Sequence, residues 1–412
     1  MDFKDTRLKK YMDVDVLTAS KERISYIFDK FENIYVSFSG GKDSTVMLHL
    51  VMDEAIKRNK IVGVLLIDFE AQYKATIDHA LSMFERYERN IDPHWVCLPM
   101  VLRNAVSNFE PKWIPWDEEK KEYWVRDMPD YYGIISDLKF YPFFQKGMEF
   151  EEFIILFGDW YKNRNGKKTA CFVGIRADES LNRFRTIASI KKEVFEGRRF
   201  TTKVIDDLYN VYPIYDWKVA DIWKYHSMYP DKQYNEIYEL MNKAGVSLSN
   251  QRLCQPYGDD QKRGLWLYHI LEPYSWYKVV ARVNGANFGA MYIRENGNIT
   301  GNNKITKPKN HTYKSFCNLL LQTMPKVTRD HYIEKFRIFL EGWKGRGYIN
   351  GIPDEAPSVL ENKQWAPSWR RMCKVLLRND WWCKGLGYQQ PKSEAYGKYL
   401  EMKKIKNEKP IS

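Results

Sequence analysis

A run of six residues, 39–44 with the sequence SGGKDS, contains the groups that proteins use to bind phosphate. Its two glycines tolerate the backbone angles of a tight turn, and they let backbone N–H groups come close to an anion. Lys42 adds a mobile cation, whereas Asp43 would repel an anion unless it held a metal ion or oriented the loop. The run therefore predicts a phosphate cradle, and an ordinary Gly-Gly turn followed by a helix cap is the simpler alternative.

The residues on either side of this run predict a strand before it and a helix after it. Residues 35–38 alternate large apolar and small polar side chains, as in a short buried strand. Apolar residues then recur at helical spacing through residues 46–55. The unpaired N–H groups and the positive dipole end of such a helix point toward the loop, so the local structure strengthens the phosphate prediction.

The run differs from the Walker phosphate loop, which has four residues between its glycines before Lys-Ser/Thr. It resembles instead the PP-loop of the N-type ATP pyrophosphatases, and with Thr45-Val46 it resembles their phosphoadenosine phosphosulfate (PAPS) reductase-like branch. The resemblance implies ATP or a related adenine nucleotide as the ligand, with Mg²⁺ held in part by Asp43. It also implies that Lys42 and Asp43 are catalytic. The loop residues implied to bind the nucleotide are Ser39, Gly40, Gly41, Lys42, Asp43 and Ser44.

A second informative segment is TACFVGIRADESLNRFRT, residues 169–186. An arginine at the carboxyl end of a strand can bind phosphate or sulfate through two N–H groups. The segment resembles the G-x-R-x-x-E-S-x-x-R motif of the PAPS reductase-like family, matched by Gly174, Arg176, Glu179, Ser180 and Arg183. The resemblance implies that Gly174 lies at the nucleotide and that Arg176 is catalytic. It further implies that Arg176, Glu179 and Arg183 bind the acceptor or a phosphate; a surface salt-bridge network is the alternative.

Residues 61–67, IVGVLLI, predict a parallel strand that is buried on both faces. Ligands of open α/β sheets bind at the carboxyl ends of strands. Asp68 follows this strand and is therefore predicted to lie near the mouth of the site, with a helix-capping or solvated acid as the alternative. In the PAPS reductase-like family that the loop resembles, a D-T-G-like segment at this place approaches the nucleotide, so the resemblance implies that Asp68 binds it, although only the acidic residue matches. A helix at about 73–87 and a strand at 94–98 come next. This alternation predicts an α/β fold with a doubly wound parallel sheet, which the resemblance to PP-loop proteins of the adenine nucleotide alpha hydrolase-like type also implies.

The length of 412 residues suggests two or three domains. We predict a PP-loop domain over residues 1–245, with an aromatic and Pro-rich insertion at about 108–165. A basic C-terminal domain, mixed or mostly helical, is predicted over residues 246–412. Residues 249–273, 347–357 and 378–388 resemble the C-terminal domain of IbrA-like proteins from bacterial and phage genomes, which implies a ParB-like partner protein and a role in gene regulation.

Cysteine usage argues against two related activities. The chain lacks the Glu-Cys-Gly-Leu-His motif that carries the catalytic thiol of PAPS reductases, so reduction of a sulfonucleotide is not expected. Its six cysteines form no CxxC pair, so neither an iron–sulfur cluster nor zinc is expected.

The formal net charge is +12 and is unevenly distributed, since residues 251–412 hold 28 Lys and Arg against 14 Asp and Glu. Basic and aromatic residues together suit nucleic-acid binding, but they suit an acidic protein partner or simple solubility equally well. The residues that alternate most clearly are Trp365, Trp369, Arg370, Arg371, Lys374, Arg378, Trp381 and Trp382, for which helix packing is the alternative. A polar stretch at 252–263 is predicted either to close over the nucleotide or to be a solvated loop.

No apolar run approaches the ~20 residues of a membrane span, and no signal-peptide core follows the charged N-terminus. A cytoplasmic protein without a membrane partner is therefore expected. The predicted function is an AMP-forming enzyme of the adenylyltransferase type, which cleaves ATP between the α- and β-phosphates, adenylates an acceptor and releases pyrophosphate. The competing class is a non-catalytic regulator that senses a nucleotide and binds DNA or a partner protein.

Overall fold

The computed structural model describes residues 12–253, 257–258, 265–286 and 305–389. Its strands within these ranges are β1 (Asn33–Phe38), β2 (Val62–Ile67), β3 (Ile91–Val96), β4 (Leu102–Arg103), β5 (Lys112–Trp113), β6 (Ile134–Ile135), β7 (Thr169–Val173), β8 (Thr201–Ile205) and β9 (Leu208–Val211). Seven of them form one sheet in the order β6-β3-β2-β1-β7-β9-β8. Every neighbouring pair in this sheet is parallel except β8 and β9 at one edge.

Helices cover both faces of this sheet. The described helices are α1 (Val16–Lys30), α2 (Lys42–Lys57), α3 (Lys74–Arg86), α4 (Phe150–Asn165), α5 (Leu181–Ala188), α6 (Val219–Met228), α7 (Ile237–Lys243), α8 (Leu265–Leu271), α9 (Pro273–Arg282), α10 (Tyr313–Thr323), α11 (Lys326–Lys344), α12 (Ser358–Asn362) and α13 (Trp369–Leu377). Helices α1, α2, α3 and α6 share a core with one face of the sheet, and α4 packs on the other. The predicted α/β fold with a mostly parallel sheet is confirmed.

The central strand β1 shows why the sheet is buried on both sides. Ile34 and Val36 point into the core shared with α1 and α2. Tyr35, between them, contacts the rings of Phe157 and Tyr161 on α4, with centroid distances of 5.3 and 5.1 Å. Because successive side chains of a strand face opposite sides, both faces of this strand are apolar and both must be covered.

The stretch at 108–165, predicted as an insertion folded over the sheet, also builds part of the sheet domain. It supplies β6, which pairs in parallel with β3 at the sheet edge. It also supplies α4, whose aromatic residues Phe153, Phe157 and Tyr161 cover one face. The sequence therefore identified the aromatic character of this stretch but not its contribution to the sheet.

A buried ion pair joins the turn after β2 to helix α9 of the C-terminal region. The Nε of Arg282 donates to Oε1 of Glu70 at 2.9 Å, and the two side chains are 2% and 0% exposed. Glu70 also accepts hydrogen bonds from the backbone N–H groups of Trp116, at 2.7 Å, and Val125, at 3.1 Å. This carboxylate thus connects three parts of the chain: the sheet, the insertion and α9.

The described part of the C-terminal region is helical, and α10, α11 and α13 share a separate apolar core. This unit docks on the segment after β4, where Nδ2 of Asn379 donates to the carbonyl oxygens of Ala105 and Ser107, both at 3.0 Å. Five cysteines are free and buried, at positions 97, 171, 317, 373 and 383, and Cys254 lies outside the described residues. None of the described helices combines the length and apolarity needed to cross a bilayer.

The alternating Trp and Arg residues near the C-terminus serve mainly internal packing. Arg371 is buried and donates to the carbonyl oxygens of residues 366 and 385. Trp381 is 8% exposed and stacks on His331 at 3.7 Å between ring centroids. Arg370 pairs with the carboxylates of residues 355 and 361, whereas Trp365 is 65% exposed. Nucleic-acid binding by this region stays a prediction.

Candidate functional site

The SGGKDS run forms a tight loop between β1 and α2, and two features explain its shape. Gly40 has φ +69°, and a Cβ atom there would lie 2.8 Å from Cγ2 of Thr76. Ser44 fastens the loop from inside: its hydroxyl donates to the Gly41 carbonyl at 3.0 Å and accepts from the Ser39 N–H at 3.3 Å. The hydroxyl oxygens of Ser39 and Ser44 are 3.0 Å apart. This loop places the first residues of α2 at the carboxyl end of β1.

The neighbouring strand β7 brings the second predicted motif to the same place. Gly174 comes directly after this strand and lies against the loop: a Cβ atom at this position would be only 2.9 Å from Cα of Ser44. Arg176 then turns back, and its Nε donates to Oδ1 of Asp43 at 2.9 Å. Asp43 therefore orients Arg176, which is neither of the two roles that the sequence suggested for this carboxylate, a metal ligand or a residue that orients the loop.

One nitrogen of Arg176 is left for a ligand. The side chain is 5% exposed, yet its Nη1 has no hydrogen-bond partner among the described residues. The carboxylate of Asp178 lies 3.6 Å from this nitrogen, beyond hydrogen-bond distance. A buried guanidinium with an unused donor is unfavourable unless an acceptor occupies the adjoining space, which makes this nitrogen a candidate anion contact.

Glu179, Ser180 and Arg183 continue the motif into α5. The Ser180 hydroxyl caps the helix by accepting from the Arg183 N–H at 3.3 Å. Nε of Arg183 lies 3.1 Å from the Glu179 carboxylate, with the two side chains 41% and 21% exposed. The salt bridge expected under the alternative interpretation is thus present, but it lies at the same cavity as the loop.

A cavity of about 570 Å³ collects these groups. Its lining residues include Ser39, Gly41, Lys42, Asp43, Ser44, Gly174, Arg176, Asp178, Glu179, Arg183, Leu248, Gln251, Arg252 and Leu253. Nine predicted site residues therefore meet around one space. Gly40 shapes the loop, and its carbonyl accepts from Nδ2 of Asn235 at 2.9 Å.

Asp68, unlike most of the predicted site residues, does not line this cavity. Its carboxylate accepts from Nε1 of Trp95 at 2.9 Å, from the Glu70 N–H at 2.9 Å, and from Arg126. The side chain is fully buried. Asp68 does stand at the carboxyl end of its strand, as expected, but its oxygen atoms there order the following turn and hold the insertion.

Two donors of the loop are bound by the chain itself. The backbone N–H of Lys42 donates to the hydroxyl of Tyr238, on α7, at 3.0 Å. Its Nζ donates to the carbonyl oxygen of Gln251 at 2.9 Å and lies 4.9 Å from the centroid of the Tyr238 ring. Burial lowers the pKa of Lys42, an effect that Asp43 opposes and that Arg176 and Arg252 reinforce. Sequence reasoning missed Tyr238 and Gln251, and Gln251 could not be found because it acts through its backbone.

A second, apolar cavity of about 170 Å³ adjoins the first. Residues 37, 39, 150, 154 and 253 line both spaces. The other residues that line the apolar cavity include Leu65, Ile67, Phe69, Tyr73, Thr76, Tyr257, Leu265 and Tyr268. Tyr73 and Tyr268 stack at 5.0 Å between centroids. The hydroxyl of Tyr257 is buried, has no hydrogen-bond partner among the described residues, and has its pKa raised by burial.

Comparison with known proteins defines the family. A model of the phosphoadenosine phosphosulfate reductase domain matches residues 33–109 and 159–244, and a model of a domain of unknown function, DUF3440, matches residues 245–351 and 348–396. The chain therefore belongs to the proteins that join a PAPS reductase domain to this C-terminal domain. The chain is also 39% identical to the uncharacterized protein YbdN of Escherichia coli (strain K12) over 398 residues, which are 96% of each chain, and belongs to the same family.

Part of the chain is similar to several solved structures. FMN adenylyltransferase of Candida glabrata in complex with ATP has a TM-score of 0.33 at 16% identity, over 56% of this chain and 62% of that one. PAPS reductase of Candida auris has a TM-score of 0.29 at 16% identity, over 54% and 84%. The U34-tRNA thiolase NcsA of Methanococcus maripaludis has a TM-score of 0.31 at 14% identity, over 73% and 88%.

Proposed function

We propose that the protein binds ATP, or a related adenine nucleotide, and cleaves it between the α- and β-phosphates. The adenylate passes to an acceptor and pyrophosphate leaves. The observation that carries this proposal is that two different cavities meet at the loop. One is apolar and aromatic, and the other is lined by lysine and arginine. A nucleotide has the same division, with a flat apolar base at one end and an anionic chain at the other.

The apolar cavity suits the base. Phe69 and the stacked pair of Tyr73 and Tyr268 line it, which gives a flat ring aromatic surroundings. The hydroxyl of Tyr257, which has no partner among the residues that the structure describes, offers a hydrogen bond to a ring nitrogen or an exocyclic group. A buried hydroxyl without a partner costs free energy, so a bonded base would stabilise this arrangement.

The polar cavity suits the phosphates. Attack at the α-phosphorus needs a positioned acceptor and neutralisation of the charge on the equatorial oxygens, more than it needs acid–base chemistry. In our proposal, Lys42, the N–H groups at the start of α2 and Nη1 of Arg176 supply that neutralisation. Arg176, Glu179 and Arg183 hold the acceptor or the leaving phosphate, and Gly174 allows the close approach.

The donor set fits Mg²⁺ only together with a nucleotide. Among the residues that the structure describes, no cluster of three or more His, Cys, Asp or Glu could hold a metal ion. Mg²⁺ typically takes one or two carboxylates and completes its shell with substrate phosphates and water, which Asp43 at the loop allows. The ion would add positive charge at the phosphates.

The test is incubation of the purified full-length protein with α-labelled ATP and Mg²⁺, resolving AMP, ADP, pyrophosphate and adenylated products. In the absence of another acceptor, water accepts the adenylate, and we expect AMP and pyrophosphate from the wild type. In the Asp43→Asn variant we expect turnover to fall by about 100-fold, because the isosteric amide keeps the shape but loses the charge that orients Arg176. ADP as the product, or equal turnover in this variant, would contradict the proposal.

A second candidate function is that of a nucleotide-sensing regulator, acting with a ParB-like partner or with DNA. The specific observation in its favour is that Lys42 bonds to Gln251, at the start of the C-terminal domain. A phosphate that binds Nζ of Lys42 must displace the Gln251 carbonyl oxygen from it. Phosphate binding at the loop is therefore linked to the C-terminal domain. Tight ATP binding without turnover, with and without the partner, would favour this function over catalysis.

Removal of the Tyr238 hydroxyl is expected to change the affinity of the loop for phosphates. In the Tyr238→Phe variant we expect pyrophosphate and ATP to bind about 2- to 10-fold more tightly, because the Lys42 N–H no longer has an internal acceptor to give up. Titration calorimetry with pyrophosphate measures this. The matched control is Tyr234→Phe. Tyr234 lies just before α7, and the substitution removes a hydroxyl that donates to the carboxylate of Glu239. Weaker binding in Tyr238→Phe would mean that the hydroxyl contacts the phosphate directly.

A further inference from the structure

The first part of the C-terminal domain lies against the PP-loop and forms a wall of both cavities. Leu248, Gln251 and Arg252 line the polar cavity. Tyr257, Leu265 and Tyr268 line the apolar one, and Leu253 lines both. All seven lie within the match to the domain of unknown function, which begins at residue 245. The two cavities are therefore incomplete without this domain.

Arg252 is the cation that this wall adds. Its Nη2 donates to the backbone carbonyl of Glu179 at 2.7 Å, which fixes the guanidinium at the cavity without neutralising it. None of the described residues offers it a carboxylate within ion-pair distance, whereas Arg176 and Arg183 are paired with Asp43 and Glu179. The positive charge of Arg252 acts on Lys42 and helps to lower the pKa of that lysine.

The charge balance of the cavity favours an anion. Four cations line it, Lys42, Arg176, Arg183 and Arg252, against the three carboxylates of Asp43, Asp178 and Glu179. Asp43 and Asp178 lie beside Arg176, and Glu179 lies beside Arg183. Among the described residues no carboxylate lies within ion-pair distance of Lys42 or Arg252, and the cavity keeps a net charge of one positive unit. Like charges confined in a half-buried space repel each other, and a bound phosphate would relieve this repulsion.

We propose that Arg252 binds a phosphate of the nucleotide, and that the other six lining residues of the domain of unknown function form a structural part of the nucleotide site. This inference rests on the proposed function for the identity of the ligand. A guanidinium stays charged when half-buried and donates two parallel N–H groups to phosphate oxygens, which suits it to this position. On this view the domain is not an appended module, because it supplies a phosphate contact and one wall of the base pocket.

The experiment compares ATP with adenosine by titration calorimetry on the full-length protein. In the Arg252→Ala variant we expect ATP affinity to fall by about 10- to 100-fold, as for loss of a charged hydrogen bond. Adenosine affinity should stay within about twofold, because adenosine has no phosphate. Arg252→Lys should recover part of the loss. Arg346→Ala removes an exposed arginine of the same domain, over the Trp343 ring, and should change neither affinity.

Each outcome decides the matter. Equal ATP affinity in the wild type and Arg252→Ala would overturn the assignment of Arg252 and leave the proposed function standing. Equal losses for ATP and adenosine would also overturn it, since the arginine would then act through the structure of the wall. A wild-type protein that binds no adenine nucleotide would overturn both the proposed function and this inference.

Discussion

The Lys42→Met variant is expected to bind ATP about 10- to 100-fold more weakly than the wild type, and to turn it over about 100- to 1,000-fold more slowly. Lys42 is 6% exposed, and its Nζ lies at the polar cavity, bonded to the Gln251 carbonyl. Methionine keeps the length of the stem and removes the charge, so the loss reports on the phosphate contact rather than on packing. Calorimetry and the α-labelled ATP assay measure the two effects.

A matched control is Lys57→Met, on the same helix but at its last turn, where the side chain is 72% exposed. It should behave as the wild type in both assays. Adenosine again serves as the ligand without phosphates, and its affinity should be similar in all three proteins. If Lys42→Met bound ATP as tightly as the wild type, the loop would not be the phosphate site.

The Glu70→Ala variant is expected to lose about 3–5 kcal/mol of the free energy of unfolding. The substitution leaves the guanidinium of Arg282 buried without its counter-charge, and it leaves two backbone N–H groups, of Trp116 and Val125, without an acceptor. Unfolding in urea, followed by circular dichroism, measures the loss. The two cavities at the loop should be affected as well, because α9 follows directly on α8, which lines the apolar cavity.

Two comparisons separate the buried charge from a general effect of removing a glutamate. Glu334→Ala breaks an exposed pair with Arg337 on α11 and should have a far smaller effect, because water screens both groups. The double variant Glu70→Leu with Arg282→Met should recover part of the loss, since no unpaired charge remains buried. A Glu70→Ala loss as small as that of Glu334→Ala would contradict the role given to this pair.

The sequence predicted the loop and the sheet well because their determinants are local. The SGGKDS run, the strand before it and the helix after it are contiguous, so glycine content and apolar periodicity are sufficient to recognise the unit. The same holds for residues 174–183, where a strand, a turn and a capped helix follow one another. These segments meet because parallel strands bring their carboxyl ends to one edge of a sheet.

The contacts that complete the site depend on chain segments far apart and were not predictable in this way. Tyr238 and Gln251 reach Lys42 across 196 and 209 residues. Asp68 was selected for its position after a strand, but no local pattern shows that Trp95 and Arg126 bind its carboxylate. The basic and aromatic composition near residue 370 was compatible with an exposed binding face, and only the packing of α13 into the core that it shares with α10 and α11 shows how much of it is buried.

The position of the cavity walls in the chain has a consequence for the order of events during synthesis. The loop residues leave the ribosome long before the segment that encloses them, since Lys42 precedes Gln251 by 209 residues. Domains fold as units from the N-terminus during translation, so the sheet can form while its ligand space is still open on one side. A chain that stops early would carry the loop without the wall that the C-terminal domain supplies. Completion of the polypeptide, rather than folding of the domain that bears the loop, is then the step that makes the site whole.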